Sequence, residues 1–361
     1  MHVVLSGYYG FDNVGDEAIL FSIIHALRKL HDGIDITVLS NNPEATEKTY
    51  GVRAVNRWKL KNISNVLKQA DGLISGGGSL LQDQTGIKSI PYYSGIMRIA
   101  KMHNIPVFVY AQGMGPINKG ISKFIVRNTM KKVDRITVRD EDSRALLQNL
   151  GVRKSIDIVP DPVLGLDGST FQSKWLESSS LTTGGYITVS VRDWPSPIDF
   201  KKKIAESLDQ LASSGEKIVF IPMHGEHDYK TSEELAKMMK AESVIAPSDL
   251  SIEEKIAVIG YSKLLIGMRL HSLIFSSIFY TPFIALSYDP KIDAFANIVA
   301  QPVIGHVEKD NWDAAVLTQK AKDILASEDA KEQLQKKVQP LQAKTLNTAK
   351  MALELFGQAK K

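Results

Sequence analysis

The chain has 361 residues and no cysteine. Disulfides and thiolate catalysis are thereby excluded, which suits a reducing cytoplasm. Aromatic residues make up 7%, and the four tryptophans, Trp58, Trp175, Trp194 and Trp312, are dispersed. That scarcity argues against a module built on aromatic platforms. No basic patch is interleaved with aromatics in the manner of a nucleic-acid surface. No apolar run reaches the roughly 18–20 residues of a membrane span. The opening MHVVLSGYYG lacks a basic lead and a long apolar core, so no signal peptide is expected.

Charge of one sign is also lacking: 44 Lys and Arg stand against 40 Asp and Glu, a net +4. Residues 331–361 hold seven Lys against Glu332 and Glu354, a local +5, so the remainder is near neutral. A second basic segment carries Lys119, Lys123, Arg127, Lys131, Lys132 and Arg135 against Asp134. Each reads either as a solvated helix face or as a surface for an anionic partner.

What is present is an alternation. HVVLSG, DITVLS, GLISGG, PVFVYAQG and RITVRD are continuous apolar runs separated by helical patterns, the first of them over residues 15–30. The pattern pauses between 160 and 184, where Pro, Gly, Ser and Thr suit a linker. It then resumes with YITVSVRDW, KIVFIPMHG, LLIGMR and FIALSYD. Such runs predict parallel sheets covered by helices on both faces. The chain is therefore α/β, with domains at 1–165 and 166–361. Residues 309–357 are expected to be helical, interrupted at Pro340, and able to cross back over the first domain. Ligands of open parallel sheets bind beyond the carboxyl ends of the strands, so two facing sheets are expected to enclose one cleft.

The unusual residues fall at those strand ends. In GYYGFDNVGDEAIL, Gly7, Gly10 and Gly15 permit close approach, Asn13 or Asp16 suits a helix cap, and Asp16 suits an acceptor hydroxyl. The spacing is not that of a dinucleotide fingerprint. In SGGGSLLQDQTG, Gly76, Gly77 and Gly78 mark tight backbone contact, and Gln82 and Asp83 suit sugar hydroxyls. The Gly-Lys-Ser/Thr ending of a nucleotide-triphosphate loop is missing. AQGMGP adds Gln112 and Gly113. In VRDEDS, Arg139 is placed either to grip an anion or to form a structural ion pair. Asp161 reads equally as a hinge, a cap or a ligand.

In the second half, SVRDWP places Arg192 at a strand end, and PMHGEHD places His224 and His227. The latter matches no metal-ligand spacing. GMRLHSLIF raises a sharper question, because Arg269 and His271 lie in the opening turn of an apolar helix after Gly267. An anion there would meet free N–H groups, the helix dipole and a guanidinium together. SYDPKID adds Tyr288, Asp289 and Lys291.

These loops, spanning residues 7 to 292, together resemble the polysaccharide pyruvyl transferase family. The likeness is closest to CsaB-type enzymes that ketalise the cell-wall polymers anchoring bacterial S-layers. The resemblance implies a GT-B-like fold of two Rossmann-like domains, with acceptor on the first and donor on the second. It also implies phosphoenolpyruvate as donor and release of phosphate. The product is a 4,6-O-pyruvate ketal on β-N-acetylmannosamine of a lipid-diphosphate-linked secondary cell wall polymer precursor. Arg139, Arg269, His271 and Lys291 match the family's cleft residues, and Asp16 joins them as a catalytic candidate. Arg192, Gly267, Leu270 and Tyr288 are expected on the donor. Gly10, Asn13, Gly15, Gly76, Gly77, Gly78, Gln82, Gln112 and Gly113 are expected on the acceptor. No metal or cofactor is expected, because the cations cover the donor's charge. The enzyme is expected in the cytoplasm, in peripheral contact with anionic membrane at its inner face. A sugar-nucleotide glycosyltransferase of the same fold and a non-catalytic glycan-binding module are the rival readings.

Overall fold

Strands buried on both faces need helices on both sides, and the chain supplies them in alternation. The computed structural model describes residues 1–84, 86 and 88–359. Thr85 of the second glycine loop and Lys360 and Lys361 of the basic tail lie outside those residues. The elements run β1 (His2–Tyr9), α1 (Val14–Leu30), β2 (Asp35–Ser40), α2 (Pro43–Tyr50), β3 (Arg53–Asn56), α3 (Leu60–Lys68), β4 (Gly72–Gly76), α4 (Ser89–Met102), β5 (Val107–Gln112), α5 (Gly120–Met130), β6 (Arg135–Val138), α6 (Glu141–Asn149) and β7 (Ile156–Ile158). There follow α7 (Lys174–Ser178), β8 (Tyr186–Ser190), α8 (Phe200–Ser213), β9 (Lys217–Phe220), α9 (Gly225–Met238), β10 (Val244–Ile245), α10 (Ile252–Gly260), β11 (Leu264–Gly267), α11 (Leu270–Ile278), β12 (Phe283–Ser287), α12 (Pro290–Ile298), β13 (Val303–His306), α13 (Ala314–Ala326) and α14 (Ala330–Gln358).

Two compact units result, one of residues 1–165 with 341–361, the other of residues 166–340. In the first, a seven-stranded sheet has the order β3-β2-β1-β4-β5-β6-β7. In the second, a six-stranded sheet has the order β10-β9-β8-β11-β12-β13. All pairings between these strands are parallel. Every residue of β5 and of β8 is buried, as the unbroken apolar runs required. The strand order reverses beside β1 in the first sheet and beside β8 in the second. Those reversals are the switch points at which such sheets bind ligands.

Two local expectations change. The segment after Asp161 is not a loose linker. It forms 3₁₀ turns at Pro162–Gly165 and Gly168–Thr170 and the short α7, and it buries Phe171, Leu176 and Leu181. Its Ser and Thr content reflects capping: Asp167 accepts from the Ser169 amide and Ser173 from that of Leu176. Pro340 does not interrupt the terminal helix, since α14 runs through it. The break falls instead at residues 327–329, where the Asp329 carbonyl accepts from Gln333 N and restarts the helix.

Candidate functional site

At the carboxyl edge of the first sheet, backbone does most of the building. The loops after β4 and β5 run side by side. Gly113 N donates to Gly78 O at 2.9 Å and Gly115 N to Leu81 O at 3.0 Å, with a parallel bridge between Leu81 and Met114. Two of the glycines bear directly on the charged side chains of this edge. Gly78 has φ +69°, and a Cβ there would lie 2.6 Å from Asp16 Oδ1. A Cβ on Gly113 would lie 2.6 Å from the Arg139 guanidinium. The glycines thus let Asp16 and Arg139 lie directly on the backbone of the loops. Asn13 caps α1, accepting from Gly15 N at 3.2 Å, and Asp16 follows in the first turn.

Arg139 is nearly buried, with its side chain 9% exposed. It lies 3.5 Å from Asp140 and 3.9 Å from Asp161, and it donates to Ser79 Oγ at 3.1 Å. Of the two readings left open for it, the ion pair is the arrangement found. Gln112 is fully buried, and its amide donates to Ser75 O and Oγ, so it fastens β5 to β4. Asp83 is engaged likewise: it accepts from Asn118 N and Lys119 N and anchors the start of α5. Burial alone would raise its carboxyl, but those N–H groups and the Ser122 hydroxyl hold it below the usual range. Gln82 stays half-buried at the loop tip, accepting from Gln84 N.

Two features of this edge escaped the sequence reading. Glu17 accepts from Gly10 N and from Tyr50 Oη, each at 2.7 Å, which pins the turn after β1. Burial pushes its carboxyl above the usual value, against those two hydrogen bonds. An acid in the first turn behind a glycine turn is a capping signal that could have revealed it. The second feature is aromatic. Arg57 is buried beneath Phe11, Trp58, Tyr92 and Tyr93, with its guanidinium 4.4–5.4 Å from each ring centre. It donates to Gly7 O and Tyr93 Oη. Tyr8 stacks on Phe11 at 4.1 Å, and Trp58, 59% exposed, is held through its indole N–H by Asn41. Residues distant in sequence thus form an aromatic shelf, which a count of tryptophans could not show.

The second sheet's edge is cationic. Arg192, just past β8, donates to Tyr288 Oη at 2.9 Å and lies over the rings of Tyr288 and Trp194 at 4.6 and 5.0 Å. Among the described residues no carboxylate pairs with it. Arg269 stands one residue earlier than expected, as the N-cap of α11, and no side chain caps that terminus. Its guanidinium is gripped at two points by Asp228, which is 1% exposed and also accepts from Met223 N. The Asp of PMHGEHD therefore serves as the anchor of Arg269. His224 precedes α9, whose N-terminus also lacks a side-chain cap, and His224 stacks on His227 at 5.6 Å. Burial, then the charge of Arg269, holds the His224 imidazole below its ordinary value, with His227 and Arg192 adding to the effect.

Leu270 and His271 open α11. Leu270 is buried with Leu273, Ile274 and Phe275, whereas His271 is half-buried. Gly267 ends β11 where a Cβ would meet Leu273 at 2.7 Å. Lys291 pairs with Asp289 at 2.8 Å and lies 6.0 Å from the Tyr288 ring, while Asp289 caps α12 through Lys291 N. The structure thus gathers Arg192, His224, Arg269, Tyr288 and Lys291 along β9, β8, β11 and β12, neighbours in the sheet. Arg269 and Lys291 are paired with Asp228 and Asp289, Arg192 has no carboxylate partner among the described residues, and the N-termini of α9 and α11, both without a side-chain cap, lie at the same edge.

Two doubly wound α/β units of this kind define the GT-B-like fold, and solved structures match it along nearly the whole chain. They include S. aureus MnaA with UDP (TM-score 0.66, 11% identity, 98% of each chain covered). They also include UDP-GlcNAc 2-epimerase from Neisseria meningitidis bound to UDP-GlcNAc (0.66, 12%, 99% of this chain and 100% of that one). A glycosyltransferase from Rickettsia africae matches similarly (0.65, 14%, 100% and 98%). At such identities the likeness is one of fold alone. No curated protein matches the sequence significantly. The family model for polysaccharide pyruvyl transferase matches residues 13–290, most of the chain, and the protein belongs to that family. Its coarse activity is accordingly pyruvyl transfer to polysaccharide.

Proposed function

We propose that the protein transfers pyruvate from phosphoenolpyruvate to a glycan diol, forming a cyclic ketal and releasing phosphate. The acceptor in this reading is the 4- and 6-hydroxyl pair of β-N-acetylmannosamine in a lipid-diphosphate-linked secondary cell wall polymer precursor. The observation that carries the donor is the cationic edge of the second sheet. Phosphoenolpyruvate brings about three negative charges near neutral pH. Arg192, which has no carboxylate partner among the described residues, and the α11 N-terminus supply positive charge there, with Arg269 and Lys291 as further donors beside their partners Asp228 and Asp289, and the reading invokes no metal or cofactor. The first sheet's edge offers glycine backbone, the Asp16 carboxylate and an aromatic shelf, which suit a neutral sugar.

In the reaction both hydroxyl oxygens bond to the enol carbon and the bond from that carbon to the phosphate oxygen breaks. One hydroxyl proton ends on the methylene, making a methyl group, and the other leaves with phosphate. His271 is assigned the proton transfer, since an imidazole titrates near working pH. Asp16 orients an acceptor hydroxyl, and Asp228 fixes Arg269 so that it need not reorganise as charge develops.

The test is incubation with phosphoenolpyruvate and a synthetic diphospholipid-linked β-N-acetylmannosamine acceptor. Phosphate release matched by ketal formation is expected. Turnover of a UDP-sugar, with phosphoenolpyruvate untouched, would replace this reading with that of a glycosyltransferase. Glycan binding with neither reaction would make the protein a binding module.

A further inference from the structure

The basic segment after β5 folds as α5, and its outer face is not merely polar. Ile121 and Phe124, one turn apart, are 65% and 62% exposed. Beside them Lys123, Arg127 and Lys131 stand at i, i+4, i+8 spacing, all exposed, with Lys119 and Lys132 at the two ends. No acidic residue lies between Ile117 and Val133, and Asp134 is held by Lys101 at 2.8 Å. Among the described residues none of those five cations is in an ion pair. Val126, Thr129 and Met130 bury the opposite face, and Asp83 fixes the start of the helix through Asn118 N and Lys119 N. A solvated face needs no isoleucine and phenylalanine, whereas large apolar side chains within a cationic stripe are what an interfacial helix presents to lipid.

We propose that this face of α5 docks the protein on an anionic lipid bilayer, with Ile121 and Phe124 entering the headgroup boundary and the five cations meeting lipid phosphates. Charge complementarity selects that occupant. A second copy of the chain in a two-fold contact would set five cations against five. A nucleic acid would leave Ile121 and Phe124 without a role. The helix lies outside both strand-edge clusters and takes no part in the chemistry assigned above.

Co-sedimentation with vesicles of phosphatidylglycerol and phosphatidylcholine, against phosphatidylcholine alone, tests this without any substrate, so its outcome is independent of the assigned reaction. The wild type should bind the anionic vesicles only, and more weakly as salt rises. Lys123→Gln and Arg127→Gln should each weaken binding about fivefold. Ile121→Ser with Phe124→Ser should weaken it about tenfold or more while leaving the salt dependence. These are surface changes, and an unaltered circular dichroism spectrum and melting temperature would show that the fold is kept. Equal binding to neutral and anionic vesicles, or binding indifferent to all four substitutions, overturns the proposal. So does a solution dimer that the Ile121→Ser, Phe124→Ser variant dissolves.

Discussion

In the first unit the loops leaving β1, β4 and β5 carry Gly10, Gly77, Gly78 and Gly113, and their charges are carboxylates or are compensated. In the second unit the loops leaving β8, β9 and β11 carry Arg192, His224 and Arg269. The two sheets share one topological device, a reversal of strand order that opens a gap at the carboxyl edge. They differ in how they fill it. Where glycines stand, backbone itself forms the surface, as at Gly78 under Asp16. Where cations stand, they are held by their surroundings: Arg269 by Asp228, Arg192 by Tyr288 and Trp194. Arg139 and Arg269 both stand against carboxylates, Asp140 and Asp161 in one case and Asp228 in the other, whereas Arg192 is held by Tyr288 and Trp194, even though all three look alike as strand-end arginines.

The comparison breaks first at His271. His271→Ala should lower kcat by about 10²-fold or more while leaving the KM for phosphoenolpyruvate near its wild-type value. Turnover close to wild type would remove the second edge's claim to the proton transfer. Next come variants that should act on one substrate only. Arg192→Ala should raise the KM for phosphoenolpyruvate by about 10- to 100-fold, the worth of charge-assisted hydrogen bonds, and leave the acceptor KM unchanged. Trp58→Ala should do the reverse and more weakly, raising the acceptor KM about 2- to 10-fold. A donor effect of Trp58→Ala, or an acceptor effect of Arg192→Ala, would mean that the edges are not divided by substrate. Gly78→Ala should lower stability by about 1–2 kcal/mol, because φ +69° disfavours a side chain and the new Cβ would press on Asp16. An unchanged melting temperature would show that the loop has room which the 2.6 Å approach denies.

Much of this was legible in the sequence because it depends on local pattern. Unbroken apolar runs such as VFVYAQ dictated buried parallel strands, and the residues at their ends, glycines in the first half and Arg and His in the second, located the two edges. What stayed hidden depends on partners far apart in the chain. Arg139 and Arg192 carry the same local signature, an Arg-Asp pair after a strand. Only packing shows that Asp161 joins Asp140 beside one while Tyr288 and Trp194 flank the other. Asp228 was visible only as one acid in a His-rich loop, and 41 residues separate it from Arg269. Arg57 was not singled out at all, because its aromatic shelf is drawn from the loops after β1 and β3 and from the first turn of α4. Pro340 misled for a local reason: a proline is expected to break a helix, yet α14 continues through it.

The finest test of the cationic edge is the titration of His224. Its imidazole is held below the ordinary value by burial and by Arg269. In the unfolded chain it titrates near about 6.5. As pH falls below that value the unfolded chain binds the proton before the folded one does, so this residue's contribution to stability is present above about 6.5 and is lost as pH falls toward the folded-state pKa. A bound dianion inverts the local field. It should raise the pKa of His224, so that anion binding takes up a proton and tightens as pH falls. Sulfate is a suitable probe because its own charge is constant over this range. The imidazole Hε1 resonance, assigned by its loss in His224→Gln, should titrate at higher pH with sulfate than without. An unmoved titration would place the anion elsewhere and leave the second edge cationic for structural reasons alone.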